Sequence, residues 1–568
     1  LAIVALVVVL AGCTAPVARP SAPAGSGGAT EARAPSVPKR IAVAVLMDPP
    51  QLISKFERLL PGASDVEVMV TSGFAIPDAN GVLQPILTES VPTVENGLWT
   101  LASDGRMETT WKLRRNLHWH DGTPFTAEDV LFTGRLGRDP DLVTFRHPGF
   151  ELVESIDAPD PSTVVVRWRE PYVAADTLFG TTIDISRITI PLPKHLLESA
   201  YLGDKLAFTQ LPYWSEEFVG TGPFRLREWV RGSHAVLEAF DGFALGRPPI
   251  DRVEVKFIPD GNTLIANVLA GAADATLGRG LSLDQTLEAE RQWREGKQRN
   301  GGPGAWFAVF PQFQNPDPAI IGNVAFRRAL MHGMDRQQMA DALMYGLVPV
   351  AHVIMSPVAA GYKEIEPQIV RYDYNPRRTA ELFQSVGLTA GPDGALRDAD
   401  GKPISVEIRT TPGDLMVKSN ETVADQWRRL GVQVQTVTFS QIQQRDLEYR
   451  ATRSGFEFSR RGVGMENLTM FQTKELSLPA NRYSGKNLAG YANPELDSLV
   501  DRYFATVPQR ERLQALGQVL RHMSDQLPVL TLFYDTESSL VSNRIVNLEG
   551  KPAESTAAWN AHLWDLRP

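Results

Sequence analysis

Residues 404–437 read ISVEIRTTPGDLMVKSNETVADQWRRLGVQVQTV. Ile404-Ser405-Val406-Glu407-Ile408 alternates apolar and polar side chains at the period of a strand. Val423, Trp427 and Leu430 then fall on one face of a helix, and Gly431 stops it. Val432-Gln433-Val434-Gln435-Thr436-Val437 resumes the alternation. Strand, helix and strand in that order make a βαβ crossover, so the two strands are expected to be parallel neighbours in an α/β lobe.

The flanks extend this lobe. Upstream, Asn375-Pro376 supply a cap and a first-turn proline, Ala380, Leu382, Phe383 and Val386 give the helix an apolar side, and Gly387 ends it. Asp398-Ala399-Asp400-Gly401 reads as a turn, which makes the close pair Asp398 and Asp400 turn residues rather than paired catalytic acids. Downstream, Leu496, Leu499, Val500 and Tyr503 follow Pro494, and Leu513, Leu516, Leu520 and Met523 follow Pro508, both at helical spacing. Val529-Leu530-Thr531-Leu532-Phe533-Tyr534 then returns as a buried strand. At the other end Arg40-Ile41-Ala42-Val43-Ala44-Val45 opens the folded part with a strand. A chain that completes one lobe and comes back late to another implies discontinuous lobes joined by crossing segments.

With 568 residues and 43% hydrophobic content, two or three domains are expected. The 57 basic and 66 acidic residues leave a net charge of -9 with no long basic run, which argues against a nucleic-acid partner. Cys13 is the single cysteine, so no internal disulfide and no CxxC site exists within one chain. Leu1 to Leu10 is an apolar run of the length of a secretory h-region and too short to span a bilayer. A charged n-region and an initiator Met are expected upstream of it. Leu10-Ala11-Gly12-Cys13 resembles a bacterial lipobox, which implies a lipidated Cys13; the alternative is an ordinary secretory signal with an incidental cysteine. Residues 14–39 are mostly Ala, Pro, Ser and Gly and read as a flexible tether. No later apolar run has the length of a membrane span.

In Trp111-Lys112-Leu113-Arg114-Arg115-Asn116-Leu117-His118-Trp119-His120-Asp121-Gly122-Thr123-Pro124-Phe125-Thr126-Ala127-Glu128-Asp129-Val130, a strand is followed by a turn at Asp121-Gly122 and by a helix start capped by Thr126 and Asp129. This pattern resembles the signature of the oligopeptide- and dipeptide-binding class, family 5, of solute-binding proteins of bacterial ABC importers. Val94-Glu95-Asn96-Gly97-Leu98-Trp99, the Asp104-Gly105 turn, Gly220-Thr221-Gly222-Pro223-Phe224-Arg225-Leu226 with Trp229, Ala270-Gly271-Ala272-Ala273-Asp274, and Phe326-Arg327-Arg328-Ala329-Leu330 through Met334-Asp335-Arg336 are similar to further family elements, in the family's order. The resemblance covers essentially the whole chain after the tether. It implies a type II periplasmic-binding fold: two α/β lobes, a domain inserted in the first, and a hinge that closes over ligand held between the lobes. The expected layout is signal and lipobox in 1–13, tether in 14–39, first lobe in 40–75, 205–300 and 525–568, inserted domain in 76–204, and second lobe in 301–524. The expected partners are a peptide or other small ligand, ABC permease subunits and the membrane through the lipid; the protein is expected to be a monomer without cofactor or metal.

The resemblance also implies where ligand is held. Peptide-binding members use an aspartate in a loop after the βαβ unit to hold the ligand's amino terminus. The matching run here, Phe456-Glu457-Phe458-Ser459-Arg460-Arg461-Gly462-Val463-Gly464-Met465-Glu466-Asn467-Leu468, has no aspartate and no tryptophan. Glu466, beside Asn467, is the candidate amine partner, and Arg460-Arg461 is a candidate receptor for a carboxylate or other anion; the alternative is a solvated charge pair. Gln312, Phe313, Gln314 and Asn315 match a hinge-proximal segment that contacts ligand in relatives, and Phe74 lies in an early loop; for the aromatics the alternative is packing. His118 and His120 lie two apart on a strand, as two metal ligands would, but no third ligand is visible nearby and the turn reads as structural. The sequence holds no GxSxG, HExxH or Walker-type loop, so a lipid-anchored hydrolase is the weaker alternative, and a ligand sensor on the same fold is another.

Overall fold

The computed structural model describes residues 37–53, 60–145, 147–181 and 190–567. Cys13, the lipobox and nearly all of the tether lie outside the described residues.

Two large sheets carry the two lobes. The first has the strand order Gly296–Asn300, Ser538–Ser542, Ala275–Thr276, Arg40–Val45, Arg252–Phe257, His234–Ala239, Phe224–Val230. Arg40–Val45 runs parallel to both neighbours, as the apolar alternation at Ile41, Val43 and Val45 anticipates. The second sheet has the order Gln433–Thr438, Ser405–Thr410, Phe456–Gly462, Ala305–Pro311, Leu530–Asp535. Its parallel pair, with Ser405 opposite Gln433 and Thr410 opposite Thr438, flanks the helix Asp414–Arg429 and is the expected βαβ unit. Val423 and Trp427 of that helix are fully buried, with the Trp427 ring 4.8 Å from Phe456. Gly431 has φ 87 and lies so close to the Gly394 carbonyl oxygen that a Cβ would sit 2.5 Å from it, so this helix end requires glycine.

A third sheet, in the order Trp99–Leu101, Met107–Lys112, Thr163–Trp168, Val153–Asp160, lies within the expected insertion. Its apolar residues share one core with the first lobe, where Phe74, Trp111, Phe179 and Phe224 are packed together, whereas the second lobe has its own core. The capping reading of Thr126 holds: the Asp129 carboxylate accepts from the Thr126 amide at 3.0 Å and the Thr126 hydroxyl accepts from the Glu128 amide at 3.3 Å. Asn375 likewise caps its helix, accepting from the Arg378 amide at 2.9 Å.

The second boundary of the first lobe falls later than the expected residue 525. Leu530–Asp535 pairs antiparallel with Ala305–Pro311 inside the second sheet, so the chain returns to the first sheet only at residues 536 and 537. Among the described residues, the backbone therefore passes between the two sheets at 301–304 and again at 536–537. The inserted part makes a separate contact with the second lobe, where the Val173 amide donates to the Phe504 carbonyl at 3.2 Å. No helix of the described residues is long and apolar enough to cross a membrane.

Candidate functional site

The two crossings lie side by side and are bound to a third segment near the C-terminus. The Gly301 amide donates to the Glu537 carbonyl and the Gly302 amide to the Lys551 carbonyl, both at 2.8 Å. A Cβ on Gly301 would lie 2.4 Å from the Lys551 carbonyl oxygen, so only glycine allows this approach.

Charge ties the lobes together at the same place. Asp535, 1% exposed at the end of its second-lobe strand, receives Arg279 of the first lobe at 2.9 Å and the Arg460 guanidinium of the second. Arg460 also faces Glu537 at 3.8 Å, and Glu537 pairs with Lys551 at 3.3 Å. Beneath them Asp65 is 2% exposed and accepts a hydrogen bond from the Ala558 amide at 3.2 Å. Burial, reinforced by the like charge of Glu537, pushes the Asp65 carboxyl up to about 6 against the opposing pull of Lys551.

Phe456–Gly462, expected as a loop, is a strand, and this corrects the reading of Arg460-Arg461 as one anion-receiving fork. Adjacent strand residues leave opposite faces. Arg460 turns to Asp535, while Arg461 lies over the Phe310 ring at 5.4 Å and donates to the Ser459 hydroxyl at 2.5 Å. The segment 312–315 is likewise not next to the crossing. It follows the far end of Ala305–Pro311, about 20 Å away at the rise of an extended strand. Gln312 is 1% exposed, and its amide is consumed: Oε1 accepts from the Phe313 and Gln314 amides at 2.9 Å each, and Nε2 donates to the Ala451 carbonyl at 3.0 Å. Phe313 packs edge-on to Tyr491 at 4.9 Å with Arg327 4.8 Å above it. Gln314 and Asn315 are exposed. Phe74 is fully buried between Trp111 and Phe179, with centroids 5.1 and 5.3 Å away, and serves the core.

Glu466 is exposed on the short helical segment Met465–Phe471 that leaves the strand bearing Arg460. Asn467 clamps the loop, its amide donating to the Gly464 carbonyl at 3.1 Å. Two further carboxylates, which the sequence reading does not single out, share this neighbourhood. Glu554 comes from the C-terminal segment of the first lobe, and burial together with the negative charge of Glu466 raises its carboxyl above the usual range. Asp176 comes from the inserted part, where desolvation pushes it up to about 6 although Arg512 pulls it down. Tyr503 lies within reach of all of them: burial, with Glu466, Glu554 and Asp176 adding, pushes its phenol up to about 12 against Arg512. Glu466, Glu554 and Asp176, from three parts of the chain, thus all act electrostatically on Tyr503, with Arg512 as the opposing charge.

The histidines, expected on a strand, lie outside any strand, and His118 Nδ1 faces the Asn116 carbonyl at 2.9 Å. His120 is 8% exposed, with Nδ1 accepting from the Gly220 amide at 3.2 Å and Nε2 facing the Gly222 carbonyl at 3.0 Å. Both ring nitrogens are occupied by the glycine-rich turn, which excludes His120 as a metal ligand, and burial lowers it to about 4.

The model of bacterial extracellular solute-binding proteins, family 5 Middle, matches residues 83–470. Oligopeptide-binding protein AppA of Bacillus subtilis is 22% identical over 531 residues, covering 91% of this chain and 90% of that protein. Heme-binding protein A of Haemophilus influenzae is 22% identical, covering 82% of this chain and 81% of that protein. Among solved structures, NikZ from Campylobacter jejuni in complex with Ni(L-His) superposes with a TM-score of 0.69 at 21% identity, over 93% of this chain and 100% of that one. The two-lobed fold, the ordered motifs and the family match together show that the chain belongs to the bacterial extracellular solute-binding proteins of family 5, and that it binds a solute rather than catalysing a reaction.

Proposed function

We propose that this protein is the substrate-binding component of an ABC importer, anchored by lipid on Cys13, and that it holds a peptide or related small ligand by a positively charged group between its lobes. What supports this reading is that Glu466, Glu554 and Asp176 all bear electrostatically on Tyr503. Each comes from a different part of the chain, so a cation placed among them contacts both lobes and favours their closed arrangement. The relatives named for oligopeptides and heme, and the structural neighbour holding nickel with histidine, show what range of small ligands related proteins accommodate. Here the amine-holding role falls to Glu466 with Glu554, in place of the aspartate of peptide-binding members.

The test is calorimetric titration of the folded body, from Lys39 onward, with peptide mixtures and with the same peptides acetylated at the amino terminus. Free amines are expected to bind and blocked ones to bind at least tenfold more weakly, since a charge-assisted hydrogen bond contributes about 1.5–3 kcal/mol. Glu466→Gln and Glu554→Gln should each reproduce the effect of blocking. If the acetylated peptides bind as tightly as the free ones, the carboxylates do not hold the ligand. Mass spectrometry of the protein purified from its native membrane tests the lipid on Cys13 separately.

A further inference from the structure

The second lobe buries cationic charge that the cargo cleft does not use. On the face of its sheet opposite the Asp414–Arg429 helix, Arg409, Glu457 and Phe310 stand in one row: Arg409 is registered against Glu457 across the parallel pair, and Phe310 against Glu457 across the antiparallel one. Arg461 shares that face, four residues along the strand from Glu457. Arg450 and Arg453 come down on it from the helix Leu447–Ala451 and the turn after it. The guanidiniums converge. Arg409 and Arg453 donate to the same Arg450 carbonyl at 3.0 and 3.1 Å, Arg409 and Arg450 both lie against the Phe439 ring, and Arg450 and Arg453 both face Glu457.

The charges do not balance. Four guanidiniums surround one buried carboxylate, and half-buried Glu407, two residues from Arg409 on the same strand, adds a second negative charge. Arg409 is 3% exposed, Arg453 4% and Glu457 3%. Among the described residues, the Nε groups of Arg409, Arg450 and Arg453 and one oxygen of Glu457 are buried without a hydrogen-bond partner, three donors against one acceptor. Burial lowers Arg453 to about 10, with Arg409, Arg450 and Arg461 adding to the effect against Glu457. Uncompensated buried cations with unused donors are costly, and an anion relieves both terms at once. Guanidinium donors match the planar or tetrahedral oxygens of a small oxyanion.

We propose that the Arg409, Arg450 and Arg453 guanidiniums form an internal site for one small oxyanion, of the sulfate, phosphate or carboxylate type, resident in the second lobe. The site does not involve Glu466, Glu554 or Asp176, so its failure leaves the cargo reading untouched.

The experiment is equilibrium dialysis of the folded body at low ionic strength, with radiolabelled sulfate in one arm and radiolabelled acetate in the other. One saturable anion per chain is expected, and the preferred arm tells a tetrahedral from a carboxylate occupant. Glu457→Gln removes the buried negative charge that faces the arginines and is expected to tighten binding by about tenfold, a change of 1.4 kcal/mol. It should also lower the thermal midpoint, and the preferred anion should restore it. Arg409→Met, checked for folding by tryptophan fluorescence, should weaken binding at least tenfold. Absence of saturable binding in both arms, for the wild type and for Glu457→Gln, overturns the proposal. So does binding that neither substitution alters, which would place the anion elsewhere. Should Arg409→Met not fold, the direction of the Glu457→Gln change decides alone.

Discussion

Replacing Asp65 with asparagine should stabilise the protein at neutral pH and leave it unchanged in acid. Asp65 is 2% exposed, and its carboxyl is raised from the ordinary 3.8 to about 6 in the folded state. A raised carboxyl favours the folded state only where that extra proton is held. Below about pH 4 both states are protonated and the site contributes no penalty; between about 4 and 6 the unfolded chain ionises first and stability falls; above 6 the full penalty applies. A displacement of roughly two units at 1.36 kcal/mol each puts that penalty at about 3 kcal/mol. Asparagine keeps the acceptor for the Ala558 amide and removes the charge that Glu537 opposes. Urea unfolding followed by tryptophan fluorescence should therefore show Asp65→Asn more stable by about 3 kcal/mol at pH 7.5 and equal to the wild type at pH 3.5. Comparing the two proteins at each pH cancels the other titrating groups. A variant that is equally or less stable at pH 7.5 would refute the reasoning, because the pull of Lys551 would then outweigh burial.

Three other outcomes follow from the same network and its surroundings. Asp535→Asn weakens the charged acceptor shared by Arg279 and Arg460 and should cost about 1–3 kcal/mol; a double-mutant cycle with Arg279→Met should give a coupling of at least about 0.5 kcal/mol if the pair links the lobes. Gly301→Ala places a methyl 2.4 Å from the Lys551 carbonyl oxygen and should lower stability by about 1–3 kcal/mol, whereas Gly322→Ala, with open space around it, should not. His120 is depressed from 6.5 to about 4, so the stability it contributes is present above pH 6.5 and is lost as pH falls toward 4; His120→Gln should flatten the stability profile within that window, read by thermal unfolding at steps of pH.

Local chemistry was legible in the sequence wherever neighbours in the chain are neighbours in space. The Asn375 and Thr126 caps, the βαβ unit between Ser405 and Thr438 and the buried return strand at Leu530 all depend on spacings of a few residues, which sequence displays directly. The strand Phe456–Gly462 was missed because Glu457, Arg460 and Arg461 are poor signals for a central strand; tertiary pairing on both sides overrides that local preference. Once it is a strand, alternation alone separates Arg460 from Arg461. Glu554, Asp176 and Asp535 carried no local signal at all. Each acts through partners from about 50 to more than 300 residues away, as in the pairing of Asp535 with Arg279, and nothing in the residues around them marks such a contact. Glu466 is marked in the sequence only by its place in the run that resembles the family's amine-binding loop.

The two adjoining crossings make the joint a ribbon rather than a single cord. Two separate strands held side by side bend readily about one line but resist twisting about their own length, much as a door on two hinges swings without sagging. Any turning of one lobe on the other must be absorbed at 301–304 and 536–537, within a few soft backbone dihedrals. The segment at Lys551 holds the first crossing through its backbone and the second through its side chain, so swing in that direction is limited at both. On the proposed reading, changes to Glu466, Glu554 or Asp176 can then alter what is bound without altering how the lobes meet.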